Sequence, residues 1–118
     1  AAGSACSALG QDAIAIGSGA YARGNYAVSI GFKTENYAGG GTALGWHTSL
    51  ATSADFSLAA GYYSVATGNT SVSIGHRTYS MADLSTAMGS YTTAQSYNSF
   101  VIVSMPPLYR LFTLFYLH

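Results

Sequence analysis

The stretch AIAIGSGAYARGNYAVSIG, residues 13–31, and its later counterpart GYYSVATGNTSVSIG, residues 61–75, decide the fold of this chain. Each combines a strand-like motif that ends in Ile-Gly with a second motif of the form small-x-Ala-x-Gly. Short alternating segments bounded by Gly and Asn are typical of β-strands between tight turns. The two stretches therefore predict strands and exclude a helical pattern.

The two motifs recur with a period of fourteen residues along most of the chain. Residues 4–103 divide into seven units, whose strand motifs are AIAIG, AVSIG, GTALG, SLAAG, SVSIG, STAMG and SFVIV. The step from Gly45 to Gly61 is sixteen residues, which predicts a two-residue insertion near Ser53 and Ala54. A fixed short period is the signature of a solenoid, in which each unit stacks on the next. We therefore predict an all-β solenoid of stacked coils.

Glycines mark the predicted bends of every coil. Glycine adopts backbone conformations that tight corners require, and it lets neighbouring backbones approach closely. We assign this role to Gly10, Gly17, Gly24, Gly31, Gly45, Gly61, Gly68, Gly75 and Gly89.

Alternation separates two faces of the second strand of each unit. We predict that the larger apolar side chains form the core of the roll: Ile14, Ile16, Val28, Ile30, Leu44, Leu58, Val72, Ile74, Met88 and Ile102. The Ala and Ser residues between them, such as Ala15 and Ser29, form a flat face that we expect to pack against another copy. In the first strand we expect the small residues inside and a mixed row outside.

Composition excludes several functions. Only 7% of the 118 residues are charged, and four Lys and Arg balance four Asp and Glu. No basic surface is available for a nucleic acid. No nucleophile and base are paired by spacing, and the single Cys allows neither an internal disulfide nor a cysteine zinc site. We therefore predict no enzymatic activity, no cofactor and no nucleic-acid partner.

The mixed outer row contains candidate contact residues. Tyr and Arg are enriched at protein-binding surfaces, although exposed tyrosines are also ordinary on strands. The candidates for a partner-contact surface are Tyr21, Arg23, Glu35, Tyr37 and Tyr79.

Ring-bearing side chains recur at the first position of four successive units: Phe32, Trp46, Tyr62 and His76. Stacked coils would place them in one column. Such a column is either an aromatic ladder that stabilises the stack or a contact stripe for a glycan or protein.

Other polar residues receive structural interpretations. We interpret His47 and His76 as surface turn residues, because no third ligand is patterned with them for a metal. Cys6 occupies a Ser/Thr position and is interpreted as a small buried filler. The aspartates assigned to turns are Asp12, Asp55 and Asp83.

Both motifs together resemble the YadA-like head repeats of trimeric autotransporter adhesins. That repeat combines Ser-Val-Ala-Ile-Gly with Ser-x-Ala-x-Gly, and the likeness covers about residues 4–102. The resemblance implies a left-handed parallel β-roll and a homotrimer. It also implies a bacterial cell-surface location, with anchoring to the outer membrane through sequence outside this chain, and extracellular matrix proteins or cell-surface glycans as partners.

Three functions are weighed. The first is a non-enzymatic adhesin head, and the second is a structural segment of a phage or bacterial surface fibre without its own ligand. The third is ice binding, for which a partial threonine column is the relevant feature: Thr34, Thr48, Thr78 and Thr92. That column has one Thr per coil and lacks the flat double array that ice binding favours.

The segment 104–118 departs from the repeat. It has no glycine, and it contains the adjacent prolines Pro106 and Pro107, which remove donors from a strand ladder. We divide the chain into a repeat region, 1–103, and a hydrophobic tail, 104–118, and we expect no eighth coil in the tail. The tail is either the product of a frameshift or a cap on the last coil. It is too short to span a bilayer, so we expect no membrane contact by this chain.

Overall fold

The structure, a computed structural model, describes residues 1–103 and 114–116. Its strands are β1 (Ser7–Ala8), β2 (Ile14–Ile16), β3 (Tyr21–Ala22), β4 (Val28–Phe32), β5 (Glu35–Asn36), β6 (Thr42–Trp46), β7 (Ser49–Leu50), β8 (Leu58–Tyr62), β9 (Val65–Ala66), β10 (Val72–His76), β11 (Tyr79–Ser80), β12 (Thr86–Ser90), β13 (Thr93–Ala94), β14 (Ser99–Val103) and β15 (Leu114–Tyr116).

Two parallel sheets make up the solenoid. The odd-numbered strands from β1 to β13 form one sheet, which we call the short sheet because each of its strands has two residues. The even-numbered strands from β2 to β14 form the other, which we call the long sheet because most of its strands have five residues. Val28 pairs with Thr42 and Val72 with Thr86, a register of fourteen residues. The predicted parallel β-solenoid of about seven coils is confirmed.

The predicted insertion is confirmed between β7 and β8. The pairings of β7 with β9 and of β6 with β8 are offset by sixteen residues, whereas the preceding pairings are offset by fourteen. The Ala54 amide donates to the Ala51 carbonyl at 3.0 Å and closes an additional turn over Thr52 and Ser53. The extra residues are therefore absorbed locally, without disturbing the register of the following coils.

The two faces of the long sheet are opposite to the sequence-based prediction. Ile14 and Ile16 are 47% and 43% exposed, and none of the ten residues predicted as the core is buried. The flat face that was predicted to contact another copy is instead fully buried within the coil. It consists of Ala15, Ser29, Ala43, Ala59, Ser73 and Ala87. In the short sheet, the prediction of small residues inside and mixed residues outside is confirmed.

The reason for the reversal is that the roll is thin. The Cα trace extends only 12 Å in its shortest direction. Two sheets this close leave room for Ala, Ser and Thr, and not for facing rows of Ile and Val. Where Ser and Thr meet inside, they hydrogen-bond, as Ser29 Oγ does with Thr34 Oγ1 at 2.7 Å. Ser73 and Thr78 repeat this pair at 2.7 Å, so the interior is held by hydroxyl contacts as well as by burial.

Within residues 1–103 and 114–116, three buried side-chain hydroxyls have no hydrogen-bond partner, those of Thr48, Thr92 and Ser99. Thr48 Oγ1 and Thr92 Oγ1 are buried and make no hydrogen bond in the described structure. In their coils, Ala43 and Ala87 stand at the position where Ser29 provides a hydroxyl for Thr34. The unpaired threonines therefore result from a Ser-to-Ala difference between otherwise equivalent coils.

The assigned glycines fall into two classes. Gly75 and its equivalents lie near the ends of the long-sheet strands, not in turns, and Gly75 has a φ of 134°. A Cβ on Gly75 would lie 1.9 Å from the carbonyl oxygen of Gly89 in the next coil. Gly10, Gly24 and Gly68 lie instead at the corner after the short-sheet strands. The first class is required both by backbone conformation and by close approach.

Most left-handed corner residues are not glycine, which the sequence did not predict. Lys33, His47, Tyr63 and Arg77 have φ between 51° and 56° and occupy the corner after the long sheet. Each donates its amide across to the preceding coil; for example, Tyr63 donates to Trp46 O at 2.9 Å. The ladder of hydrogen bonds therefore continues through the corner. These bonds hold side chains in a conformation that bulky residues adopt only under such constraint.

The predicted turn aspartates brace the opposite corner. The Asp55 carboxylate accepts from the Gly39 amide at 2.8 Å, and Asp83 accepts from Asn69 at 2.9 Å. Asp12 has a φ of 53° in the same corner. All three are turn residues as predicted, and two of them link one coil to the preceding one.

The described part of the tail does not continue the coil. Strand β15 pairs antiparallel with β14, whereas all the coil-to-coil strand pairings are parallel. Pro106, Pro107 and the rest of the tail lie outside the described residues. An antiparallel strand on the last coil favours the cap interpretation, and the division at residue 103 stays a prediction.

Candidate binding surface

Four of the five predicted contact residues lie together on the outer face of the short sheet. Tyr21 in β3 pairs in register with Glu35 in β5. The Arg23 guanidinium lies 5.8 Å from the Tyr21 ring centroid and 5.3 Å from that of Tyr37. Arg23 is thus held between two tyrosines of successive coils by cation–π contacts. These four residues form what we call the tyrosine–arginine patch.

The fifth candidate, Tyr79, lies elsewhere. It belongs to β11, which is separated from β5 by β7 and β9 in the short sheet. Its side chain is 40% exposed on the same outer face. The structure therefore does not unite Tyr79 with the tyrosine–arginine patch.

The predicted aromatic column is present as a continuous ladder. Phe32 and Trp46 have ring centroids 4.9 Å apart, and Trp46 and Tyr62 are 5.9 Å apart. His76 follows at 5.1 Å from Tyr62. The rings lie at the ends of long-sheet strands and are partly exposed, so they stabilise successive coils and also offer ring surface to solvent.

A second column runs beside the first and was not foreseen as a ladder. His47 and Tyr63 stack with centroids 4.7 Å apart and planes within 2° of parallel. Arg77 then lies 5.5 Å from the Tyr63 ring and 5.8 Å from the Tyr91 ring. The signal in the sequence was the recurrence of large side chains one residue after the first column. The left-handed corner directs this second row outward.

The second column ends in a recess. At its N-terminal end, Ala5 and Gly19 occupy the position that carries Lys33 and His47 in the following coils. The missing side chains leave a cavity of about 400 Å³, whose remaining walls include Tyr21 and Glu35. The recess therefore adjoins the tyrosine–arginine patch through the two residues that they share.

The histidines and the cysteine lie in packed positions. His47 is the corner residue that was predicted, whereas His76 is the last residue of β10 and not a turn residue. Cys6 is only partly buried, against a small alanine cluster. Within residues 1–103 and 114–116, no group of three or more His, Cys, Asp or Glu is placed to hold a metal ion. Nor do the described residues include a helix of sufficient length and apolarity to cross a membrane.

The threonine column considered for ice binding faces the wrong way. Thr34, Thr48 and Thr78 are fully buried between the two sheets. An ice-binding array must be presented to solvent, so these threonines cannot form one. Their role is internal packing and hydrogen bonding.

Two segments of the chain match a known family of repeats. Residues 8–34 and 53–78 each match the family described as the YadA head domain repeat. These segments are YadA head repeats. The predicted resemblance is confirmed, and the family is a non-enzymatic, adhesin-type domain. A comparison with curated proteins finds no match.

The matched repeats relate directly to the surfaces described above. The first YadA head repeat contains Tyr21, Arg23 and Lys33, and the second contains Tyr62 and Arg77. The recess lies mainly on the first repeat and ends at His47, which lies between the two matched segments. The family match therefore includes part of the tyrosine–arginine patch and part of the recess.

Proposed function

We propose that this chain is a head fragment of a trimeric adhesin, which attaches a bacterial cell surface to host matrix or cells without enzymatic activity. The observation that carries the proposal is the YadA head repeat on a rod whose long sheet has an apolar outer face. The apolar outer face of the long sheet mediates assembly of the trimer. The polar and aromatic residues on the remaining surface contact a partner.

The apolar face supports a homotrimer. The row predicted as a core is partly exposed along its whole length, with Ile30 at 36% and Ile102 at 47%. A regular row of Ile, Val and Leu on a monomer is typical of a surface that another chain covers. A closed cyclic assembly would bury three such rows around one axis. The predicted packing between copies is thus retained, but through the opposite face of the strand.

Partner contact is assigned to the surface that remains outside this assembly. The tyrosine–arginine patch lies on the other sheet, so it would stay exposed when the long sheets pack together. A trimer would present three copies of this patch, and multivalent contact raises the effective affinity of weak individual sites. This arrangement suits attachment to an extended partner such as matrix.

Assembly and attachment can be tested separately. Sedimentation of the full chain should give three times the mass of one chain at micromolar concentration, and a folded monomer would contradict the trimer. Beads coated with the protein should adhere to matrix-coated surfaces and cell layers more than beads coated with a denatured control. A stable trimer without adhesion would instead favour a structural fibre segment.

A further inference from the structure

We infer that the recess formed by Gly19, Tyr21, Lys33, Glu35 and His47 is a binding site for one uncharged pyranose unit of a glycan. The inference deepens the proposed adhesive function and rests on it for its biological setting.

The shape is that of a small-molecule site produced by two missing side chains. Its volume of about 400 Å³ falls within the range of about 300–1,000 Å³ that is usual for ligand pockets. The floor includes Ala5 and Gly19, at positions where later coils carry large side chains. The recess is therefore specific to one end of the ladder and does not recur at His47 or Tyr63.

A ring platform forms one wall. One face of the His47 ring is covered by Tyr63, which stacks on it at 4.7 Å. His47 also lines the recess, and the edge-to-face contact of its ring with Phe32, at 6.0 Å between centroids, helps to hold it there. Tyr21 provides a second ring on the opposite strand. The C–H face of a pyranose packs well against such ring faces.

The charges favour a neutral ligand over an acidic one. Lys33 can only donate hydrogen bonds and the Glu35 carboxylate can only accept them, and their formal charges cancel. Neighbouring hydroxyls of one sugar can satisfy both groups, because each hydroxyl both donates and accepts. A sulfate or carboxylate in the same place would face Glu35.

Binding of a neutral glycan can be tested by applying the full chain to a glycan array. Neutral oligosaccharides built from glucose, galactose and N-acetylglucosamine are compared with a heparin fragment and sialyllactose. The best neutral binder is then titrated while the fluorescence of Trp46 is followed. Trp46 is the single tryptophan of the chain, and its ring lies 6.3 Å from that of His47.

The deciding variant is Gly19→Tyr. Gly19 has a φ of 69°, close to the 54° at which Tyr63 already stands in the equivalent corner, and a Cβ there would lie 3.3 Å from Lys33 Cγ, so a small shift of the flexible Lys33 side chain admits a tyrosine. The new ring fills the recess, and we expect binding of the neutral glycan to weaken by at least about tenfold. Glu35→Gln should weaken it less. Tyr91→Ala, at the far end of the same column, is the matched control and should leave binding unchanged.

The outcomes separate this inference from the proposed adhesive function. Loss of neutral-glycan binding in Gly19→Tyr, with unchanged sedimentation and circular dichroism, supports the inference. Binding only to acidic glycans, no glycan binding at all, or unchanged binding in Gly19→Tyr overturns it. If beads coated with the wild-type protein still adhere to cells in those cases, another surface of the protein mediates adhesion. If neutral glycans bind but beads do not adhere, the site stands and the adhesive function fails.

Discussion

The long and short sheets of the same coil differ in almost every respect outside the core. The long sheet presents a mostly apolar outer row, interrupted by Thr42 and Thr86, that ends in an aromatic ladder, whereas the short sheet presents Tyr, Arg, Glu, Ser and Thr in mixed order. Their inner faces are alike and consist mostly of Ala, Ser and Thr, with Leu50, Asn36 and Val101 as the larger buried side chains. If the long sheets pack together as proposed, a regular apolar row suits a surface that must match copies of itself. The outer face of the short sheet contacts only solvent or a binding partner in that arrangement, so its side chains can vary from coil to coil.

The largest loss of stability is expected from substitution of the glycines near the ends of the long-sheet strands. Gly75→Val introduces a side chain at φ 134° and a Cβ 1.9 Å from the Gly89 carbonyl oxygen. We expect a loss in the free energy of unfolding of about 4 kcal/mol or more, or failure to fold.

Gly19→Ala is the matched substitution at the corner. Its φ of 69° is shared by neighbours with side chains, so a cost of about 1 kcal/mol is expected. Urea unfolding of both variants measures the difference. Equal shifts would contradict the distinction between the two glycine classes.

The next largest effect concerns assembly. Ile74→Asp places a carboxylate on the apolar outer row of the long sheet, where burial against other copies would cost about 2 kcal/mol or more. We expect this variant to sediment as a monomer. Val65→Asp makes the same kind of change on the outer face of the short sheet, in the adjacent strand of the coil, and should leave the trimer intact. If Val65→Asp alone dissociates the assembly, the short sheet is the interface.

The aromatic ladder should contribute less to stability than the strand-end glycines do. Trp46→Ala removes the two ring contacts that Trp46 makes with neighbouring coils, to Phe32 and Tyr62, as well as its contact with His47 in the same coil. Each such pair contributes about 0.5–1.5 kcal/mol, so we expect thermal and urea unfolding to show a loss of about 1–3 kcal/mol. Tyr79→Ala serves as the control, because Tyr79 makes no ring contact in the described part of the chain. Its expected cost is below about 0.5 kcal/mol. Equal losses would mean that the ladder adds nothing to stacking.

The smallest expected effect is a gain in stability inside the coil. Ala43→Ser supplies the hydroxyl that Thr48 lacks, in the arrangement that Ser29 and Thr34 already adopt. We expect the free energy of unfolding to rise by about 1 kcal/mol. Ala59→Ser is the matched control, since Ser64 in that coil already donates to the Ala60 or Gly75 carbonyl, each at 2.9 Å. A gain in the control equal to that in Ala43→Ser would argue against satisfaction of Thr48 as the cause.

Parts of the candidate surface could be predicted from the sequence, and parts could not. Tyr21, Arg23, Glu35 and Tyr37 were found because alternation places them on one outer row of adjacent coils. Tyr79 satisfied the same rule but lies too far along the stack. The recess was not predicted, because it arises from side chains that are absent at Ala5 and Gly19. A small residue leaves a cavity only where larger side chains of the neighbouring coils surround the space.

The period, the strands, the seven coils, the insertion and the recurring position of Gly75 could all be recognised from the amino-acid sequence alone. These features follow from local chemistry, since each is specified within one or two adjacent units. Which face of the long sheet lies inside became clear only from the packing of the two sheets. A period-two pattern distinguishes two faces, but the spacing between the sheets selects the inner one. In this roll the sheets lie too close for Ile14 or Ile30, so small residues fill the core and the large apolar row is turned outward.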